Sequence, residues 1–155
     1  MTNTVEKAGN RTLTDVIESS GVDAGKKGFH EDGDLLRRIL GEVEFSNVEG
    51  HITVGEVTIA VPAGFWDRIY SAYKGNRLML IVGEVVEAHE EVRSGKPQIY
   101  LGENGKPEGT SVELADVQIR LGDYVYEFGE NMEEAMDVKE SYNATRGKMH
   151  GGRKF

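Results

Sequence analysis

The spacing of apolar residues changes along the chain, and that change constrains the fold more than any other sequence feature. From Phe65 to Arg93, and again from Thr110 to Phe128, apolar side chains recur at the three-to-four spacing of one helix face. Leu78, Ile81, Val85, Ala88 and Val92 make the first stripe, widened by Val82 and His89; the first helix is expected to be interrupted near Gly75. Leu114, Val117, Leu121, Tyr124, Val125 and Phe128 make the second. Between Val43 and Val61 the spacing falls to two, in Val43/Phe45, Ile52/Val54 and Val57/Ile59/Val61, with turn residues at Glu49-Gly50 and Gly55. The expectation is a mainly α bundle, one domain over residues 1–155, with a small β-hairpin inserted at about 43–61.

The flanking segments fit that frame. Leu13 to about Lys27 reads as a short helix with a break at Gly21, and Gly25 to Asp34 as a loop. Gln98 to Gly109, holding Gly102, Gly105 and Pro107, reads as a long loop. Thr110-x-x-Glu113 has capping-box spacing, and Asn131-x-x-Glu134 starts a last helix that runs to about Thr145. Glycine, 20 of 155 residues, is about twice the usual ~7% share, mostly as punctuation.

Charge and composition remove several function classes. A net charge of −9 disfavours nucleic acid and membrane surfaces as partners, although the tail, residues 146–155, is basic through Arg146, Lys148, Arg153 and Lys154. The absence of cysteine excludes disulfides, thiolate catalysis and Cys-ligated metals. Met1 to Asn10 is polar, and no run approaches the roughly 18 apolar residues of a membrane span, so a cytoplasmic location is expected. Gly25-x-x-Gly28 is not a P-loop, because no GK[ST] follows.

What remains is an acidic pattern. Glu84-Val85-Val86-Glu87 and Glu113-Leu114-Ala115-Asp116 each set two carboxylates at i and i+3, on one helix face. Local pairing leaves them unbalanced: Glu87 has only acids as charged neighbours at i±3 and i±4, and only Asp116 finds a cation, Arg120. Both pairs border the apolar stripes, so packing of the two helices can bring them together. Like charges ~5 Å apart at an effective dielectric of about 20 repel by roughly 3 kcal/mol per pair. Four such groups either protonate or hold a cation, and an all-carboxylate set suits Mg²⁺, or Mn²⁺. Glu113 also has a purely structural reading as a capping residue.

Glu84-x-x-Glu87, 25 residues, then Glu113-x-x-Asp116 resembles the signature of the MazG-like all-α nucleoside triphosphate pyrophosphohydrolases. Further segments are similar to phage and actinobacterial members: Lys27-Gly28-Phe29-His30, Asn76 to Glu84, Gly105-Lys106-Pro107-Glu108-Gly109, Tyr142-Asn143-Ala144-Thr145-Arg146 and His150-Gly151-Gly152. Two departures stand out: Gly83 occupies the position of a second Glu, and the 43–61 stretch is foreign to the helical core.

The resemblance implies Mg²⁺-dependent hydrolysis of a nucleoside triphosphate to monophosphate and pyrophosphate, of the house-cleaning, dUTPase or dCTPase kind. Glu84, Glu87, Glu113 and Asp116 would hold Mg²⁺, with Glu84 or Glu87 as base and Arg120 steadying Asp116. Lys139, Asn143 and Arg146 share one face of the last helix and, with His150 and Lys154, would meet the phosphates; Lys27 and His30 would meet base or sugar. A homodimer or homotetramer is expected, because the helices do not close a four-helix core alone. The alternative is a non-catalytic helical interaction module with a vestigial acidic face.

Overall fold

The computed structural model describes residues 11–42, 50–54 and 56–146. Within them five α-helices dominate, so the fold is mainly α as expected. The first, α1 (Leu13–Lys26), begins at a capping box: Thr12 Oγ1 accepts the Asp15 N–H at 3.1 Å, and Asp15 Oδ2 accepts the Thr12 N–H at 2.7 Å. Those bonds to Thr12 hold the Asp15 carboxyl below the usual range. Gly21 does not break the helix. It lies inside α1 where Tyr126 crosses, and a Cβ there would fall 2.1 Å from Tyr126 Cγ. Close packing, not a bend, accounts for that glycine.

The expected loop from Gly25 to Asp34 is shorter than its composition suggests, because α2 (Glu31–Glu42) starts inside it. Glu31, Asp32 and Asp34 crowd its first turn, where carboxylates complement the helix dipole. The hairpin is present: β1 (Gly50–Val54) pairs antiparallel with β2 (Val57–Val61), Gly50 facing Val61 and Val54 facing Val57. The expected Val43/Phe45 strand lies outside the described residues.

The longest element is α3 (Phe65–Ser94), 30 residues and about 45 Å, which continues unbroken through Gly75. After it, Gln98 to Gly109 is more ordered than a plain loop. β3 (Tyr100–Leu101) and β4 (Pro107–Glu108) pair across a tight turn, and Ser111 N–H donates to Gln98 O at 3.0 Å. Gly109 (φ 113°) presses against this segment, since a Cβ would sit 2.5 Å from Gln98 O. Gly109 is also the N-cap of α4 (Thr110–Phe128), so the expected capping box at Thr110 is not formed and Glu113 is left for other work. Asn131 caps α5 (Met132–Ala144) as expected, accepting the Glu134 N–H at 3.2 Å.

α4 is the central element and packs against both α1 and α3. At its C-terminal end Tyr70, Tyr73 and Tyr124 surround Phe128 with ring centroids 4.6–6.1 Å away. The face that α3 turns inward is only partly its apolar stripe, of which Ile81 and Ala88 are covered. Tyr73, Arg77, Ile81, Glu84, Ala88 and Glu91 are buried or half-buried, whereas Leu78, Val82, Val85 and Val92 are exposed. No helix among the described residues is long and apolar enough to cross a membrane.

Candidate metal centre

The inward face of α3 meets a polar stripe on α4 made of Glu113, Asp116, Arg120, Asp123 and Glu127, at a spacing of three and four. Toward the C-terminal end of α3 the contact is acidic. Carboxylate oxygens of Glu84, Glu87 and Glu113 lie within 4.8 Å of one another, Glu84 and Glu113 buried and Glu87 exposed. Two helices thus supply three hard oxygen donors around one point, the donor set that Mg²⁺ or Mn²⁺ takes. Asp116, one turn along α4, is outside this closest group but near enough to act on Glu113. Burial above all, then the carboxylates of Glu87 and Asp116, pushes the Glu113 carboxyl above the usual range; Lys106, brought in by the β3–β4 turn, opposes part of this. Glu113 therefore carries a proton more readily than a free carboxylate.

Arg120 is placed differently from the sequence expectation. Its Nε donates to Glu84 Oε1 at 2.5 Å, so the guanidinium steadies Glu84, on the opposite helix, rather than Asp116, four residues earlier on its own.

Beside the acidic group, α1, α3 and α4 enclose a cleft of about 280 Å³. Its walls include Lys27, Phe29, Arg77, Asp116, Arg120 and Asp123. Of the residues expected to contact substrate, Lys27 faces this cleft. His30 reaches it only through Asp123, with Nε2 2.5 Å from Asp123 Oδ1. Lys139 and Asn143 stand exposed on α5, Arg146 lies exposed just past its end rather than on the helix as expected, and none of the three belongs to the cleft walls or the acidic group. His150 and Lys154 lie outside the described residues.

A second set of charges was not foreseen. Arg77 pairs with Asp123 and, at 3.2 Å, with Glu127, whose side chain is 0% exposed. Tyr73 Oη donates to Glu127 Oε1 at 2.6 Å, and Arg37 from α2 approaches the same oxygen at 3.7 Å. Burial, then the bond to Glu127, pushes the Tyr73 phenol above its ordinary range. The signal was in the sequence as the polar stripe of α4, which continues past Asp116 to Asp123 and Glu127. Comparison with protein-family models, curated proteins and solved structures finds no match to this chain.

Proposed function

We propose that the chain is a Mg²⁺-dependent nucleoside triphosphate pyrophosphohydrolase of the MazG-like kind. The observation that carries this reading is the convergence of Glu84, Glu87 and Glu113 from two helices beside a cleft walled by both charge signs. In the proposal Glu84, Glu87 and Glu113 hold the cation, with Asp116 completing the set. When bound, the cation supplies positive charge to phosphate oxygens and makes a nearby water more acidic.

The chain's own residues do the rest. Glu87, the exposed member of the group, takes a proton from the attacking water. The water oxygen bonds to the α-phosphorus, the α–β bridging P–O bond breaks, and pyrophosphate leaves with the bonding pair. Lys27 offsets phosphate charge from the cleft wall, and Phe29 offers a ring face to a base. This moves Lys27 from the base or sugar, where the sequence reading put it, to the phosphate role expected of Lys139, Asn143 and Arg146.

A stripe of exposed apolar side chains on α3, Met79 (61% exposed), Val82 and Val86, suits burial against a second copy, as in a homodimer. The same stripe favours the competing reading, an interaction module without activity. Pyrophosphate release separates the two. Purified protein with Mg²⁺ should release pyrophosphate from at least one common or deaminated nucleoside triphosphate. Glu84→Gln and Asp116→Asn should each lower the rate at least 100-fold, on the order expected for a group acting in the transition state. Silence across the nucleotide panel would leave the module.

A further inference from the structure

Arg120 faces two ways. Its Nε is bonded to Glu84 Oε1 at 2.5 Å, while its side chain also lines the cleft. The two partners differ in freedom: the Glu84 side chain is 10% exposed, that of Arg120 is 43% exposed. The bond occupies one N–H of a five-donor fork, so the Nη groups remain for an acceptor in the cleft. Asp116, four residues earlier on α4, offers a second carboxylate within reach of a shifted side chain.

We propose that Arg120 is a movable counter-ion that couples cation binding to anion binding. It rests on the reading of Glu84, Glu87 and Glu113 as a cation site. Arg120 and a divalent cation compete for Glu84, because two positive charges cannot share one buried carboxylate without repulsion. Entry of the cation releases the guanidinium, which turns into the cleft and meets a phosphate group there. Arg120 is thus a positioning residue, and each of the two ligands prepares the site for the other.

The test uses the full chain and titrates Mn²⁺ alone, by calorimetry, into the parent, Arg120→Gln and Arg120→Lys. Inorganic phosphate is then titrated into each Mn²⁺-saturated protein, with a blank for Mn²⁺ and phosphate in buffer. Arg120→Gln should bind Mn²⁺ about 5- to 10-fold more tightly than the parent and phosphate at least 5-fold more weakly, with Arg120→Lys between them. A merely structural bond would give the opposite sign for Mn²⁺, since losing it loosens Glu84. If the parent binds Mn²⁺ and Arg120→Gln binds it equally or less well, the counter-ion proposal is overturned and the cation site stands. Tighter Mn²⁺ with undiminished phosphate overturns the transfer into the cleft. Absence of Mn²⁺ binding in every variant overturns the cation site and this proposal together.

Discussion

The α3–α4 interface holds two charged regions, and they are built to opposite ends. Around Arg77 the charge account closes: Arg77 and Arg37 face Asp123 and Glu127, while His30 bonds Asp123 and Tyr73 donates to Glu127, whose buried Oε2 has no hydrogen-bond partner. Around Glu113 it does not close among the described residues, because four acids gather while Arg120 bonds only Glu84 and Lys106 offsets only part of the repulsion. Both regions use the same two helices and the same residue spacing. Matched charges at such a position tie helices together, whereas unmatched ones leave a demand for positive charge.

Removing the central cation of the matched region should have the largest effect. Arg77→Met leaves Asp123 and Glu127 without their main partner and should cost about 3–5 kcal/mol of stability, read by urea denaturation. A loss under about 1 kcal/mol would mean that the region is not held by its charges.

The unmatched region should respond in the other direction. The Glu113 carboxyl is raised above its value in the unfolded chain, so the folded protein retains the proton over a window beginning near pH 4.5 and extending upward. Its contribution is intact at lower pH and is lost as pH rises through that window. Glu113→Gln should therefore raise the melting temperature by about 3 °C at pH 7.5 without divalent ions, and by less at pH 5. Added Mg²⁺ should stabilise the parent and not this variant. A variant that melts lower than the parent at pH 7.5 would place Glu113 with the matched charges instead.

The smallest effect tests the position next to the acids. Gly83 lies within α3, and a Cβ there would meet nothing within 4 Å. Gly83→Ala should stabilise by about 0.4–1 kcal/mol through the unfolded chain alone, again by urea denaturation. A loss of stability would show that the backbone at this point is already committed to something else.

The helices and the hairpin were legible because their apolar periods are long and distinct. The α2 helix was hidden, since Gly25, Gly28 and Gly33 read as a loop while acids near the helix start supplied the stabilisation. Glu84, Glu87 and Glu113 were legible from the i, i+3 spacing and the lack of local cations. Their true setting was not, because the stripe read as core on α3 is largely exposed and the helix buries a partly polar face instead. Apolar periodicity locates the face that avoids water; it does not say whether a neighbour in the same chain covers it. Arg120 was tied to the wrong acid for a related reason. Spacing along one helix gives i+4 partners, while the Glu84 contact depends on how two helices cross.

The single tryptophan has a practical consequence. Trp66 sits at the start of α3 in edge-to-face contact with Phe65, at a centroid distance of 5.2 Å. Glu84 is 18 residues further along the same helix, about 27 Å away. Intrinsic fluorescence is thereby partitioned by design of the chain: the indole registers melting of the whole rod and stays blind to an ion arriving at its far end. A dye or a tyrosine signal is the appropriate optical handle for occupancy, and the indole serves as the internal control for intactness.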